Sequence, residues 1–353
     1  MGNDNKAFLR GRARAGAALF SLVMFSAMAG LAQPVQAEEL TRTDFVLGTV
    51  CTVRLMEGGS AETLKEVFAR LRTIEDRMSA NKDGTEIALI NAQAGKAPVK
   101  VSPDTFFVIS KALEYAQRTA GEFDPTVGPL VKLWNIGSGD EKVPSQKQID
   151  AARALIDWRQ VVMDSGAQTV FLKKPGMRLD LGAITKGYAA DEIAQILSAH
   201  KVKAGIVDLG GNILAFGTKK DKSLWRIGIQ DPESERGEYL GIVTGTQMTV
   251  VTSGVYERYF IENGTRYHHI LSTRTGWPAD NGLISVSIVA KKSIDADALS
   301  TSLFILGVEK GLALLRNFPD TYAIFIDRDR KVYLSPGAGK IFKLISKEYR
   351  LSD

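Results

Sequence analysis

A single cysteine, Cys51, is all that the 353 residues contain. An intramolecular disulfide is excluded, and with it a thiolate cluster for zinc. Histidine is nearly as scarce, with only His200, His268 and His269. A metal bound to this chain would have to be gripped by oxygen, which suits Mg²⁺ or Ca²⁺. The familiar phosphate-binding runs are also missing. There is no Gly-x-x-x-x-Gly-Lys-[Ser/Thr] segment, and Gly210-Gly211 does not extend to Gly-x-Gly-x-x-Gly, so neither a P-loop nor a Rossmann site is indicated. No internal repeat, low-complexity tract or long linker divides the chain.

Excess charge is short as well. The chain carries a formal +5, and the first 37 residues hold most of it: Lys6, Arg10, Arg12 and Arg14 against Asp4. An apolar run from Ala15 to about Leu31 follows, ending in Pro34-Val35-Gln36-Ala37 with small or compact side chains. This pattern reads as a signal peptide over residues 1–37, with a retained membrane anchor as the alternative. No cysteine stands at the cleavage point and no Arg-Arg pair precedes the apolar run, so neither a lipid anchor nor twin-arginine export is expected. The expected product is a soluble periplasmic protein. Its charge is only about +2 once the leader is removed, so no nucleic-acid surface is expected. Residues 38–353 suffice for one large core, in a single domain or two intimately packed lobes.

Hydrophobic periodicity alternates locally between the two regular structures. Leu64, Val67, Phe68, Leu71, Ile74 and Met78 recur at helical spacing and predict a helix over Ala61–Met78. Thr85-Glu86-Ile87 starts a further helical turn, and Ser102-Pro103 opens a helix running to about Thr119. A short apolar helix leads to Trp134, and a modest one covers Gln146–Ile156. Strands are expected over 38–58, interrupted at Gly48-Thr49, and at Val161–Met163, Thr169–Leu172 and Arg178–Asp180. Gly205–Gly217 reads as a buried strand with Gly210-Gly211 inside it. Trp225–Gln230, Tyr239–Val243 and Met248–Thr252 read as an antiparallel series, followed by Tyr256–Ile261, Ile284–Ala290 and a hairpin of Tyr322–Ile326 with Lys331–Leu334. A helix opens near Asp295. The fold class is α+β, with mixed, largely antiparallel sheets and packed helices.

The stretch from Arg178 to Asp191 concentrates chemistry. A strand ending at Asp180, a glycine turn at Gly182 and a helix from Thr185 would bring a carboxylate, Lys186, exposed amides and the Ala183 carbonyl together, a setting for an anion and its counter-ion. A surface lysine in an ordinary loop would read the same way. Asp297 and Thr301 stand four apart, on one helix face, and suit a hard cation. An aspartate near a helix start with a threonine bonding back to its own turn is equally compatible, and Asp295 could cap that helix. Of His268 and His269, adjacent in a strand, only one can face a given site.

The ordered set of motifs resembles the ApbE family of FAD:protein FMN transferases. The resemblance lies in Leu47-Gly48-Thr49, Phe123-Asp124-x-Thr126-Val127-Gly128-Pro129-Leu130, Asp180-Leu-Gly-Ala-x-x-Lys186-Gly-Tyr-Ala-x-Asp191 and Asp208-Leu-Gly-Gly-Asn212. Thr252-Ser253-Gly254, His269-Ile270-Leu271 with Arg274-Thr-Gly276, and Ala296-Asp-Ala-Leu-Ser-Thr301 complete it, over roughly residues 42–335. It implies a T-fold-like architecture and Mg²⁺-dependent cleavage of FAD. FMN would pass to a Thr or Ser hydroxyl of an acceptor protein, such as a membrane-associated electron-transfer subunit, with release of AMP. By position, Ala183, Asp297 and Thr301 would hold the metal. Leu47, Glu122, Phe123, Asp124, Asp180, Lys186, His269 and Ile270 would meet FAD, with Lys186 and His269 as the catalytic pair. Some relatives stop at hydrolysis of FAD to FMN and AMP, or only bind FAD. Two departures stand out: the missing lipidated cysteine, and no aromatic residue in Ser79–Glu86, where a flavin contact is common.

Overall fold

The computed structural model describes residues 39–352. The leader expected over 1–37 lies outside them. Nine strands form the main sheet: β1 (Leu40–Val46), β2 (Thr49–Glu57), β3 (Ala204–Leu209), β4 (Asn212–Gly217), β5 (Met248–Gly254), β6 (Leu283–Ala290), β7 (Tyr322–Asp327), β8 (Lys331–Leu334) and β9 (Arg350–Leu351). They lie side by side in chain order, antiparallel throughout except for the last pair, β8 and β9. The α+β expectation holds.

Among the described residues seven α-helices accompany the strands: α1 (Ala61–Met78), α2 (Glu86–Ala92), α3 (Pro103–Arg118), α4 (Gly128–Trp134), α5 (Gln146–Arg153), α6 (Thr185–Ala199) and α7 (Ser293–Leu315). Their starts follow from the caps in the sequence. The hydroxyls of Ser60, Thr85 and Ser102 accept the backbone N–H three residues on, satisfying donors that a helix start leaves free. The largest core joins α1, α3, α6 and α7 to one sheet face. The other face is covered by a small sheet of Trp225–Gln230, Tyr239–Gly245 and Phe342–Leu344. A third cluster gathers Leu130, Trp134, Ile149 and Leu271.

Several sequence expectations are corrected. The interruption at Gly48 is a hairpin turn: Leu47 and Gly48 take φ of 56° and 68°, and Val46 pairs with Thr49. Consecutive positive φ values match the twist of the flanking strands. Gly210 and Gly211, at 63° and 89°, likewise fold Gly205–Gly217 into the β3–β4 hairpin. Met248–Thr252 leaves the antiparallel series; β5 pairs with β4 and β6 instead of Tyr239–Gly245. Helix α5 stops at Arg153, and Tyr256 precedes the strand that begins at Tyr259. Arg178–Asp180 is not a ladder strand. Its one bridge joins Val127 to Arg178, while the Asn91 amide takes the place of a neighbouring strand, accepting from Leu179 N at 2.6 Å and donating to Leu179 O at 3.0 Å.

Helix α7 runs on to Leu315 but breaks its regular geometry at Gly307, with φ 77° and ψ 178°. Asn281 closes the first half by donating to Phe304 O at 2.7 Å and Ile305 O at 3.2 Å. Asn281→Ala strands carbonyls at an inner helix end, and a loss of about 1–2 kcal/mol is expected in urea unfolding.

Candidate functional site

Helices α6 and α7 cross at Gly187. A Cβ there would stand 2.3 Å from Ser293 O and 2.7 Å from Asp297 Cβ. Only a bare backbone permits this approach. The crossing is reinforced from α6, where the Asp191 carboxylate accepts from Ser293 N at 2.9 Å and Ile294 N at 3.1 Å. The first turn of α7 is thus capped by a residue on another helix, and Asp295 turns away to accept from Tyr115 Oη at 2.8 Å. Arg70 secures α6 from the other side through Glu192, Tyr188 and, on α3, Asp104.

Asp297 is 4 % exposed and faces the start of α6. Its Oδ2 accepts from Gly187 N at 2.8 Å, and its Oδ1 lies 3.9 Å from Lys186 Nζ. In a regular helix Gly187 N–H would bond to the carbonyl four residues back, that of Ala183. With that donor turned to Asp297, nothing among the described residues donates to the Ala183 carbonyl. Thr301 stands one turn beyond Asp297, with Oγ1 3.3 Å from Ser253 Oγ at the end of β5. Burial raises the Asp297 carboxyl, opposed by Lys186 and by N–H groups of α6.

No group of three or more His, Cys, Asp or Glu side chains gathers as a metal cage among the described residues. Carboxylate, hydroxyl and unpaired carbonyl would make a mixed oxygen set, suited to a small hard cation that keeps several waters. Asp180 stands in the same turn, three residues before Ala183. Its Oδ1 accepts from Gly182 N at 2.8 Å, its own N–H donates to Pro125 O at 2.8 Å, and burial raises its carboxyl against the pull of Arg258, Arg178 and Lys186.

His269 and His268 have different jobs. The Nδ1–H of His269 donates to Arg258 O at 3.1 Å, as does its backbone N–H, which assigns the free lone pair to Nε2. Burial, with Arg258 adding to it, lowers its pKa to about 3, so the ring is neutral at working pH. His268 is structural: Nε2–H donates to Ala279 O at 3.1 Å and Nδ1 accepts from Ile270 N at 3.3 Å. Burial lowers its pKa to about 4, with Asp280 opposing and Arg266 adding to the shift. The sign of the pH effect follows. As pH falls below about 6.5, the unfolded chain takes a proton that folded His268 refuses until about 4. Stability should fall across that window by up to about 1.4 kcal/mol per pH unit, and His268→Gln should flatten this slope in acid titrations of unfolding.

The other expected contacts divide into rim and brace. Leu47 occupies the β1–β2 turn, pressed toward the Gly210-Gly211 turn, since a Cβ on Gly210 would meet Thr49 Oγ1 at 2.2 Å. Glu122 is buried in an ion pair with Arg274 at 2.5 Å, and Thr273 Oγ1 donates to Gly121 O at 2.8 Å. The loops carrying Glu122 and His269 are thereby tied together. The side chains of Phe123 and Asp124 turn inward. Phe123 packs on Tyr115, and Asp124 accepts from Thr126 N, Thr126 Oγ1 and Trp158 N, so they brace the loop and the Asp124 carboxylate is used within the fold. Ile270 is 4 % exposed. A cleft of about 430 Å³ opens between α2 and α4, lined by Asn81, Lys132, Asn135, Arg178 and Asp180 among others. Asn91, Asp191 and Arg258 were assigned no role from sequence; their bonds span distant segments and leave no periodic trace.

The sequence model of the ApbE family matches residues 47–326. The chain belongs to the ApbE family. Among the relatives of this ApbE chain, the FAD:protein FMN transferase of Treponema pallidum (strain Nichols) is 43 % identical over 319 residues, covering 86 % of this chain and 88 % of that protein. A FAD:protein FMN transferase of Klebsiella pneumoniae (strain 342) is 39 % identical over 287 residues, 81 % and 89 % of the two chains. Among solved structures, the ApbE protein of Thermotoga maritima superposes with a TM-score of 0.78 at 30 % identity, covering 86 % of this chain and 99 % of that one. The flavin transferase ApbE of Vibrio cholerae follows at 0.76 and 28 %, with coverage of 86 % and 99 %.

Proposed function

We propose that this ApbE-family chain is a transferase that moves FMN from FAD to a Thr or Ser hydroxyl of an acceptor protein and releases AMP. The observation that carries this reading is the Ala183 carbonyl, left without a donor because Gly187 N–H bonds the buried Asp297. Ala183, Asp297 and Thr301 would hold Mg²⁺, whose charge favours cleavage of a phosphoanhydride. Phosphoryl transfer asks a protein chiefly for positioning and charge. Lys186, anchored near Gly182 O at 3.4 Å, supplies a cation at the α6 start. Asp180 and the Glu122–Asp124 loop shape the approach, and Leu47 stands at the rim.

In the reaction the acceptor oxygen bonds to the FMN-side phosphorus while the bond to the bridging oxygen breaks and AMP departs. The hydroxyl proton goes to His269 Nε2, the ring nitrogen left free by the Arg258 carbonyl. A neutral imidazole is in the form required of a base. The leader-like residues 1–37 and the absence of a cysteine after them support a soluble periplasmic enzyme acting on exported acceptors, such as a membrane-associated electron-transfer subunit.

The test incubates the mature protein with FAD, Mg²⁺ and the purified soluble domain of an exported flavin-carrying subunit. Flavin fluorescence that stays on the acceptor band after denaturing electrophoresis is the expected result. Free FMN and AMP with an unlabelled acceptor would make water the acceptor and the protein an FAD pyrophosphatase. Intact FAD in both would refute catalysis.

A further inference from the structure

We propose that Arg258 is a further phosphate-binding residue, a guanidinium that takes diphosphate oxygens which Lys186 leaves unpaired. The inference rests on the flavin-transfer reading. Arg258 and His269 close the base of the hairpin formed by Tyr259–Glu262 and Thr265–His268. Two bonds of 3.1 Å, from His269 N and His269 Nδ1, converge on the Arg258 carbonyl and fix this backbone beside the proposed base. The side chain then runs toward the turn at Gly137, where its Cδ lies 3.7 Å from the place a Cβ would take. Gly137 has φ 95°, so the arginine stem lies along bare backbone.

The guanidinium is also free. Arg274 is paired with Glu122, Arg328 with Asp280 and Arg330 with two glutamates, whereas Arg258 is exposed and enters no ion pair among the described residues. Its charge acts on Asp180, Glu257 and His269, each of which also feels Lys186. Gly137, against the arginine stem, stands two residues after Asn135, which lines the cleft with Arg178 and Asp180, so the stem borders that cleft. Lys186 is partly offset by Asp297 at 3.9 Å. A dinucleotide diphosphate brings about two negative charges at neutral pH, and a planar guanidinium can meet two of its oxygens at once.

The test compares wild type, Arg258→Gln and Arg258→Lys by flavin fluorescence in EDTA, which blocks turnover. Each is titrated with FAD and, separately, with riboflavin, which has the same ring system but no phosphate. Arg258→Gln should weaken FAD about tenfold or more, leave riboflavin within about twofold, and lose less as salt rises. Arg258→Lys should recover part of the loss. Both variants keep the carbonyl that holds His269, but Arg258→Gln removes a charge that depresses the His269 pKa, so any shift in the acid limb of turnover should be toward higher pH, and Arg258→Lys should show none. FAD binding within about twofold of wild type in Arg258→Gln overturns the proposal, and so does an equal loss for FAD and riboflavin, which would mark a structural role. A wild-type protein that binds neither flavin overturns the flavin-transfer reading and the proposal together, before any substitution is made.

Discussion

Asp297→Asn should lower both FMN release and acceptor labelling about a thousandfold while the protein stays folded. Asparagine keeps the shape and still offers an oxygen to Gly187 N–H, so the α6–α7 contact survives. What disappears is the one carboxylate in a set otherwise made of a carbonyl and a hydroxyl. A neutral amide is a poor ligand for a hard divalent cation, and metal stabilisation of a phosphoryl transition state amounts to several kcal/mol, with each 1.4 kcal/mol worth about tenfold. Burial already penalises this carboxylate in the free protein. Removing its charge should therefore leave thermal stability equal or slightly higher without metal, and abolish any rise in Tm on adding Mg²⁺. Steady-state turnover, acceptor labelling and melting curves with and without Mg²⁺ check this. Mg²⁺-dependent turnover within about tenfold of wild type would remove Asp297 from the metal set.

Gly187→Ala, a change of one methyl group, should be among the most damaging substitutions in the chain. The new carbon would fall 2.3 Å from Ser293 O and 2.7 Å from both Asp297 Cβ and Ile294 Cα. The nearest atom is helix backbone, which cannot turn aside, so α6 and α7 must separate. Overpacking of this kind costs about 1–3 kcal/mol, and this contact belongs at the upper end. Separation also draws Asp297 away from Lys186 and Ala183, so activity should fall at least about a hundredfold even at temperatures where the variant is folded. Chemical denaturation and turnover at low temperature measure the two losses independently. A variant that loses stability but retains turnover would show that the crossing holds the fold and not the site.

The sequence made the local elements legible wherever the pattern was self-contained. Helix α1 is bounded by Ser60 at one end and the close of its apolar stripe at the other, and the structure places it at Ala61–Met78 as the spacing predicts. The starts of α2, α3 and α6 were legible for the same reason, since a cap or a turn residue acts on neighbours within a few positions. The hairpin at Leu47-Gly48 was not legible as a hairpin. Two apolar runs joined by one glycine read as an interrupted strand, and only pairing with β2 and then β3 shows the chain reversing. Arg178–Asp180 failed differently. Its extended backbone was right, but the bonds a strand neighbour would make are supplied by Asn91, 88 residues away.

From the sequence alone came the oxygen-only metal chemistry that one cysteine and three histidines impose, the caps and periodicities that set the helices, and the shared helix face of Asp297 and Thr301. Each depends on composition or on residues within a turn of one another. Tertiary structure alone decided that Gly187 N–H leaves Ala183 for Asp297, that Asp191 caps α7, and that the Arg258 carbonyl chooses which nitrogen of His269 is free. Those are contacts between segments 11 to 110 residues apart, and a hydrogen bond is short and directional, so its partner is known only once the packing of helices and sheet has set which backbone groups meet.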